Sequence, residues 1–320
     1  MKASVLVTRR VFPEVLERLA RRFEVAHNED DRPWPPQELG ARLAGKAAAL
    51  STVMDRFDEA ILAAAPGLKV ISNIAVGYNN IDVAACTKRG IRVTNTPGVL
   101  DDTTADLTWA LLMSAARRTA EADAWVRRGE WKVAFSLDSF LGADIHHATL
   151  GIIGMGRIGK ALARRATGFD MRVLYNNRTR LAEAEERRLN ATRVERDELL
   201  AQSDFVVVMA PYSPATHHLI GAPEIAKMKP GAILVNSARG GIVDDAALVA
   251  ALGAGRIAGA GLDVFEGEPK VHPGYTGLPN VVMTPHIGSA SRATRLRMGM
   301  LACDNLEAVL GGGVPPNPVN

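Results

Sequence analysis

The chain has 320 residues, of which 47% are hydrophobic and 23% are charged, and its formal net charge is +3 at pH 7. This length allows two ordinary domains with sizeable cores, and the mixture of apolar and charged residues excludes a disordered chain. So small a net charge gives no reason to expect nucleic acid or an anionic membrane surface as a partner.

The cysteine content and the lengths of the apolar runs indicate the cellular compartment in which the protein is expected. Cys86 and Cys303 are the only cysteines, and their wide separation indicates neither a disulfide framework nor a zinc site. No apolar stretch has the length needed to span a bilayer, and residues 1–8 are too poor in apolar side chains for a signal peptide. We therefore expect a soluble, cytoplasmic protein.

The first hundred residues alternate short apolar runs with amphipathic segments. Helices are predicted over residues 13–22 and from Pro36 onward, and strands at residues 4–7, 23–26, 47–51 and 70–74. Strands that alternate with helices indicate a parallel, doubly wound sheet.

A second alternating series follows a long helical segment at residues 104–117. Its predicted strands are residues 148–153, 172–175, 205–209, 233–236, 258–263 and 281–284. Its predicted helices are residues 160–166, 183–189 (charged and solvated), 244–252 (capped by Asp244) and 292–310. The last helix is expected to return to the first domain. This predicts one domain at 1–99 and 290–320 and another at 100–289, with a ligand cleft between them.

A glycine-rich turn follows the first strand of this second series. Gly154 permits the tight turn, Gly156 lets the backbone approach a pyrophosphate, and Gly159 allows helix and strand to pack closely. The phosphates would lie at the helix N-terminus, where free N–H groups favour anions. The pattern predicts a dinucleotide site; a glycine-rich turn without a ligand is the alternative.

The next strand carries the signal for cofactor choice. NAD-binding proteins place a carboxylate about 20 residues beyond the first glycine, on the ribose hydroxyls. No carboxylate lies within residues 175–180. Asn177, Arg178 and Thr179 are instead suited to a 2′-phosphate, which predicts that NADPH is preferred over NADH. A solvated loop is the alternative interpretation.

Three polar side chains follow later strands of the series. Arg239, Glu268 and His286 each come after an apolar run, and the carboxyl ends of parallel strands face one ligand crevice. An arginine can bind a carboxylate bidentately, a histidine can deliver a proton near neutral pH, and a carboxylate beside it favours the charged imidazolium. Together they suit reduction of a 2-keto acid. Taken singly, each residue has an alternative, purely structural role in a salt bridge, a loop or a turn.

Four motifs in fixed order carry a family resemblance. They are Gly154-x-Gly156-x-x-Gly159, Asn236-Ser237-Ala238-Arg239-Gly240, Gly261-Leu262-Asp263-Val264-Phe265-x-x-Glu268-Pro269 and Pro285-His286-Ile287-Gly288. With these motifs the chain resembles the D-2-hydroxyacid dehydrogenase family over essentially its whole length. Residues 144–147 and 227–229 look closest to bacterial glyoxylate/hydroxypyruvate reductases that also reduce 2-ketoaldonates such as 2-ketogluconate.

The resemblance implies a Rossmann nucleotide-binding domain inserted in a flavodoxin-like substrate domain. It implies that Arg239 holds the substrate carboxylate, that His286 is the acid/base and that Glu268 pairs with His286. The N–H groups of Val76 and Gly77 would also bind the carboxylate, although the family commonly has Asp where this chain has Asn79. The implied cofactor contacts are Thr104, Gly154, Gly156, Arg157, Ile158, Gly159, Asn177, Arg178, Thr179, Ala238, Asp263 and Gly288.

Relatives of this kind are generally dimers joined through the nucleotide domain, so the resemblance implies a homodimer. Trp125 and Trp131 lie on a segment that would pack between subunits, and Trp131 and Phe135 are candidates to approach the partner's site. Adjacent histidines at 146–147 and 217–218 do not point together in a helix or strand, so no metal site is expected.

The predicted function is NADPH-dependent reduction of glyoxylate, hydroxypyruvate and, as a further candidate, 2-ketogluconate to D-2-hydroxy acids. A phosphoglycerate dehydrogenase-like enzyme and a dinucleotide-sensing corepressor-like protein stay open as alternatives. Formate dehydrogenases are disfavoured, because Glu268 occupies a position where they use an amide. The side chains at Ala75, Leu100 and Phe135 would select the substrate, but sequence does not give their geometry.

Overall fold

The computed structural model describes residues 2–320. They form two compact units, one made of residues 2–100 together with 290–320, and the other of residues 101–289. The sequence placed the first boundary one residue earlier, after residue 99. None of the described helices combines the length and apolar character that crossing a lipid bilayer requires.

Within the described residues the chain forms twelve strands and twelve α-helices. The strands are β1 (Ser4–Val7), β2 (Glu24–His27), β3 (Ala48–Ser51), β4 (Val70–Asn73), β5 (Arg92–Thr94), β6 (Thr149–Ile153), β7 (Arg172–Asn176), β8 (Ala191–Arg193), β9 (Phe205–Val208), β10 (Ile233–Asn236), β11 (Gly259–Leu262) and β12 (Val281–Met283). The helices are α1 (Pro13–Arg22), α2 (Pro36–Leu43), α3 (Glu59–Ala63), α4 (Val83–Lys88), α5 (Asp101–Ala116), α6 (Thr119–Arg127), α7 (Arg157–Thr167), α8 (Glu183–Arg188), α9 (Arg196–Gln202), α10 (Ala222–Ile225), α11 (Asp245–Gly253) and α12 (Arg292–Leu310).

The first unit is built on a five-stranded parallel sheet with the order β2-β1-β3-β4-β5. This is the flavodoxin-like order. Successive strand residues face opposite sides of the sheet. Val5 and Val7 therefore pack with α1 and α12, whereas Leu6 packs with α2, α3 and α4.

The second unit is built on a seven-stranded parallel sheet with the order β12-β11-β10-β9-β6-β7-β8. Counted from β6, this is the Rossmann order 3-2-1-4-5-6 with one strand added. Helices α5 and α7 cover one face, and α9, α10 and α11 cover the other. The order in which successive strands are added reverses between β6 and β9, so the glycine turn after β6 lies where ligands bind in such sheets.

Close helix packing in this unit depends on Gly261 of β11. A Cβ atom there would lie 3.0 Å from Cβ of Leu111 and 3.1 Å from its carbonyl oxygen. Helix α5 can therefore lie directly against β10 and β11. This packing brings the ends of both strands close to the first turn of α5.

The sequence predictions missed helices α3, α4, α6, α9 and α10 and two strands at the edges of the sheets. The short strands β5 and β8 were missed, because three residues with little apolar character carry no periodic signal. Each forms by pairing with a longer neighbour. Helix α7 begins at Arg157 rather than at Lys160, since the extended backbone of Gly156 places Arg157 in the first helical turn. Asp244 caps α11 as predicted, accepting a hydrogen bond from the N–H of Ala247 at 3.1 Å.

Candidate active site

The glycine turn between β6 and α7 has three different local geometries. Gly154 has φ of +103°, a conformation that side-chain-bearing residues rarely adopt, and a Cβ there would lie 2.6 Å from the backbone N of Ala210. A Cβ on Gly159 would lie 2.5 Å from the carbonyl oxygen of Gly154. Around Gly156, by contrast, no described atom beyond the glycine and its chain neighbours lies within 4 Å of the Cβ position. The turn is thus closed against protein at two glycines and open at the third.

Helix α7 presents its first N–H groups at this open position. The first N–H groups of an α-helix have no partner within the helix, and Gly156 at the N-cap has no side chain to accept from them. The first turn, which contains Arg157, Ile158 and Gly159, carries no acidic residue. These features fit the pyrophosphate of a dinucleotide.

Arg239 lies on a short loop after β10 that is folded by its own polar groups. The amide of Asn236 donates to the carbonyl oxygen of Arg239 at 3.1 Å, and its side-chain oxygen accepts from the N–H of Ala238 at 3.1 Å. A Cβ on Gly240 would lie 1.8 Å from the carbonyl oxygen of Phe265, so only glycine allows this loop to pack against the loop after β11. Burial lowers the pKa of the Arg239 guanidinium, and the negative charge of Glu268 opposes that effect.

His286 and Glu268 form a direct pair. Nδ1 of His286 lies 2.8 Å from Oε1 of Glu268, and both side chains are partly buried, with exposed fractions of 29% and 23%. The loops after β10, β11 and β12 therefore bring Arg239, Glu268 and His286 to one edge of the sheet. His286 has a left-handed backbone, with φ of +53°, which is unusual for a residue other than glycine.

Asp263, the residue directly after β11, fixes the loop that carries His286. Its carboxylate accepts hydrogen bonds from Oγ1 of Thr284 at 2.6 Å and from the N–H groups of Ile287 and Gly288, both at 2.8 Å. Its own carbonyl oxygen accepts from the N–H of His286 at 2.9 Å. Burial raises the pKa of this carboxyl, and the hydrogen bonds from Thr284 and Ile287 act in the opposite direction. The role of Thr284 was missed in the sequence, because a lone threonine after a strand carries no signal.

The first turns of α5 approach the same edge. A Cβ on Gly288 would lie 3.3 Å both from Oδ2 of Asp263 and from Cγ2 of Thr104. Thr104, Asp263 and Gly288, which the resemblance assigns to cofactor binding, are therefore neighbours. Oγ of Ser237, the residue after β10, lies 2.5 Å from Oγ1 of Thr108 and ties α5 to the Arg239 loop.

The loop after β7 contains the residues predicted to read the 2′-phosphate. Arg178 and Thr179 are exposed, and the side-chain amide of Asn177 donates to the carbonyl oxygen of Thr179 at 2.9 Å. In the part of the chain that the structure describes, Arg178 forms no salt bridge. The neighbouring Arg180, by contrast, is paired with Glu186 at 2.9 Å.

Glu186 corrects one sequence prediction. Helix α8 was expected to be solvated throughout, but Glu186 is buried beneath the loop after β7. It accepts hydrogen bonds from the hydroxyl of Tyr175 at 2.7 Å and from Nε of Arg180 at 3.0 Å. These two partners, Arg180 first, lower the pKa of the carboxyl. The sequence pattern of α8 did not predict this burial, because Tyr175 and Arg180, the partners of Glu186, lie outside the helix.

Val76 and Gly77 lie in the first unit, in the loop after β4. The carbonyl oxygens of both residues accept side-chain amides, from Asn95 at 2.8 Å and from Asn73 at 2.9 Å. Within residues 2–320, neither of their N–H groups donates to another protein group. Two asparagine side chains thus fix this loop by its carbonyls and leave its donors available.

Two adjacent histidine pairs behave differently from each other. The rings of His146 and His147 meet edge to face with centroids 5.1 Å apart, whereas those of His217 and His218 are stacked at 3.9 Å. The prediction that adjacent histidines do not point together is wrong for the second pair. It assumed helix or strand geometry, but these residues lie in neither and His218 has φ of +49°.

Apolar side chains are exposed on the segment that follows α6. Trp125 contacts Phe140, with ring centroids 5.2 Å apart. Trp131 is 57% exposed and Phe135 is 77% exposed. Other exposed apolar residues of this region are Val126, Val133, Leu137 and Leu141.

Comparisons with known proteins agree with this fold and site. The model for the NAD binding domain of D-isomer specific 2-hydroxyacid dehydrogenases matches residues 109–288. A glyoxylate reductase of Thermococcus onnurineus is 48% identical over 323 residues, which cover all of this chain and 96% of that protein. The TT0316 protein of Thermus thermophilus is similar in structure, with a TM-score of 0.91 at 46% identity over 99% of this chain and 100% of that one.

A fourth comparison includes bound ligands. The structure of an NADPH-dependent glyoxylate/hydroxypyruvate reductase of Sinorhizobium meliloti, in complex with NADP and malonate, has a TM-score of 0.89 at 35% identity and covers 100% of this chain and 97% of that one. The fold and the site define an NAD(P)-dependent dehydrogenase. The chain belongs to the D-isomer specific 2-hydroxyacid dehydrogenase family.

Proposed function

We propose that this protein reduces small 2-keto acids to D-2-hydroxy acids with NADPH. Glyoxylate and hydroxypyruvate are the proposed substrates, with 2-ketogluconate as a further candidate. The observation that carries the proposal is the meeting of Arg239, Glu268 and His286 at one sheet edge, with His286 and Glu268 2.8 Å apart. The names of the relatives from Thermococcus onnurineus and Sinorhizobium meliloti support the same reaction.

The proton would come from His286. Its Nδ1 donates to Glu268, which fixes the tautomer and ring orientation and leaves Nε2 for the substrate carbonyl oxygen. The guanidinium of Arg239 would bind the substrate carboxylate bidentately and polarise the adjacent carbonyl. The bound nicotinamide would supply the hydride.

The substrate carboxylate would have a second set of donors. The N–H groups of Val76 and Gly77 donate to no other protein group within the described residues, and their carbonyls are fixed by Asn95 and Asn73. Backbone donors fixed in this way are suited to an anionic ligand. We propose that these backbone donors bind the substrate carboxylate.

The cofactor would be held mainly through backbone. The open space at Gly156 and the first turn of α7, with Arg157, Ile158 and Gly159, suit the pyrophosphate. Thr104, Ala238, Asp263 and Gly288 belong to the loops and helix turn at the Arg239 and His286 end. They would line the nicotinamide, and Gly154 would shape the turn.

NADPH is the proposed cofactor because the loop after β7 offers donors and no free acid. Arg178 is exposed, and Asn177 and Thr179 flank it. Glu186, the carboxylate buried beneath this loop, is engaged by Tyr175 and Arg180. A carboxylate facing the ribose would repel a 2′-phosphate, whereas Arg178 would attract it.

We further propose that the protein is a homodimer in the cytoplasm. The exposed apolar side chains that include Trp131 and Phe135 form a patch of the kind that marks protein interfaces. Either side chain is a candidate to approach the partner's site. A reducing compartment suits Cys86 and Cys303, which are buried free thiols.

The test is a spectrophotometric panel that follows NADPH oxidation with glyoxylate, hydroxypyruvate, pyruvate, 2-ketogluconate and phosphohydroxypyruvate. We expect the highest kcat/KM with glyoxylate or hydroxypyruvate. A clear preference for phosphohydroxypyruvate would favour a phosphoglycerate dehydrogenase-like enzyme. Tight NADPH binding without turnover of any keto acid would favour a dinucleotide sensor and contradict the proposal.

A further inference from the structure

A second cluster of ligating side chains lies close to the catalytic loops but is separate from them. His217 and His218 follow the 3₁₀ turn Pro214–Thr216, and Glu266 lies in the loop after β11. One ligand atom from each of the three residues lies within 4.8 Å of the other two, and all three residues are exposed. Nε2 of His218 is 2.9 Å from Oε2 of Glu266.

The backbone brings this cluster together. The left-handed conformation of His218 lets its ring stack on that of His217 at 3.9 Å, which a helix or strand would prevent. Gly241 forms the floor of the cluster. A Cβ there would lie 3.5 Å from Nδ1 of His217 and 3.8 Å from Cδ of Glu266. The backbone of Gly241, with φ of +75°, adopts a conformation that favours glycine and lies beside both side chains.

We propose that His217, His218 and Glu266 bind a divalent transition metal ion of the zinc, nickel or copper class. Two imidazoles and one carboxylate form a donor set that suits these ions, whereas magnesium and calcium prefer oxygen ligands. Tetrahedral zinc with bonds of 2.0–2.1 Å needs ligand atoms about 3.4 Å apart. The His218–Glu266 pair, at 2.9 Å, would have to open by about 0.5 Å, and the third ligand atom, within 4.8 Å, would have to move inward by up to about 1.5 Å; rotation of exposed side chains allows both shifts.

Neighbouring groups complete the site. Oδ2 of Asp244 lies 3.8 Å from Nδ1 of His218, on the side of the ring away from Glu266, and a small side-chain shift would let it accept from that nitrogen when Nε2 binds the metal. The hydroxyl of Tyr212 lies 3.3 Å from Nδ1 of His217 and is the nearest candidate for a fourth ligand; a water molecule is the alternative.

The position of this metal site gives it a structural consequence. Gly241 lies two residues after Arg239, and Glu266 lies two residues before Glu268. A bound ion would cross-link the loop after β11 to the segment at residues 212–218. It would not use His286 or Glu268, which form a separate pair.

The experiment is a zinc titration of the full-length protein by calorimetry and by competition with a chromophoric zinc indicator. We expect one zinc ion per chain at this site, and at least about tenfold weaker binding in His217→Ala and in His218→Ala, since loss of even an outer partner of a metal-bound histidine typically has that effect. The matched control is the double variant His146→Ala/His147→Ala, which removes another exposed pair, where Asp144 lies 3.8 Å from His146. That control is expected to bind zinc as the wild type does.

Two further variants distinguish this site from zinc binding in the active site and from a folding defect. His286→Gln is expected to retain zinc binding; if it abolishes binding while His218→Ala does not, the ion is in the active site and the proposal is wrong. Glu266→Gln preserves shape and a hydrogen-bonding group but removes the charge, so weaker binding in that variant argues against a folding defect in the histidine variants. Unchanged stoichiometry and affinity in both His217→Ala and His218→Ala would overturn the proposal.

Discussion

The two halves of the seven-stranded sheet present different chemistry at the same carboxyl edge. Strands β10, β11 and β12 are followed by ionisable side chains, with Arg239, Asp263 and His286 among them. Strands β6 and β7 are followed by the glycine turn and by Asn177, Arg178 and Thr179, which offer hydrogen-bond donors and no carboxylate. Under the proposed function, one half would act on the substrate through charge and proton transfer, and the other would hold the anionic groups of the cofactor.

The two halves also use their buried carboxylates differently. Asp263 accepts hydrogen bonds from the loop that carries His286, so it fixes the position of the proposed proton donor. Glu186 binds Tyr175 and Arg180 beneath the nucleotide loop, so it supports a structure that carries no reacting group. Substitutions in the first half should lower turnover, and substitutions in the second half should change cofactor choice or local stability.

The largest effect is expected from His286→Gln. Glutamine keeps a polar side chain but cannot deliver a proton near neutral pH, and positioned acids typically contribute roughly 100- to 10,000-fold in rate. We expect kcat with glyoxylate to fall by a factor in that range. The Kd for NADPH, measured by fluorescence titration, should stay within about threefold of the wild-type value, a change far smaller than the expected loss in kcat. A kcat within tenfold of wild type would show that another group supplies the proton.

The next largest effect is expected from Asp263→Asn. The amide nitrogen would face N–H groups that now donate to a carboxylate, and an unsatisfied buried polar group costs about 1–3 kcal/mol. We expect lower stability in urea denaturation together with a lower kcat, because the same loop positions His286. The matched control is Thr284→Val, which removes only one of the three hydrogen bonds and should have the smaller effect on both measurements. Equal losses in the two variants would contradict this order.

An intermediate effect, on selectivity alone, is expected from Arg178→Asp. The new carboxylate would repel a 2′-phosphate and accept ribose hydroxyls, so the ratio of kcat/KM for NADPH to that for NADH should fall about tenfold or more, given the strength of charge-assisted phosphate contacts. Arg187→Asp is the control, since Arg187 is an exposed residue of α8 that pairs with Glu183 along the helix. A wild-type enzyme that already prefers NADH, or an unchanged ratio in Arg178→Asp, would contradict the cofactor proposal.

Strand order and the geometry of the glycine turn could be predicted from the sequence. Arg239, Glu268 and His286 follow strands of one parallel sheet, so topology alone brings them to a common edge. The open position at Gly156 and the positive φ of Gly154 agree with the roles that glycine spacing assigns. These features depend on the order of strands and on backbone geometry, and both leave marks in the sequence.

What the sequence did not predict depends on contacts between separate segments. The sequence of α8 is highly charged and therefore suggests that Glu186 is solvated. In the structure Glu186 is buried and accepts a hydrogen bond from Tyr175 of β7. The stacking of His217 on His218 depends on one left-handed residue. The strands β5 and β8 form only because a neighbouring strand offers its edge. None of these has a periodic pattern of its own.

The smallest effect is expected from Glu186→Gln, and it should appear only in the dependence of stability on pH. Arg180 and Tyr175 lower the pKa of Glu186 in the folded protein. The stabilising contribution of the ionised carboxylate is therefore fully present above the unfolded pKa of about 4.3 and is lost as the pH falls through the lower folded value. Thermal unfolding should show the wild type more stable than Glu186→Gln at pH 6, with the difference in Tm shrinking as the pH is lowered from 5 to 3. If the difference instead stayed constant over this range, the stabilisation would come from the shape of the side chain and not from its charge.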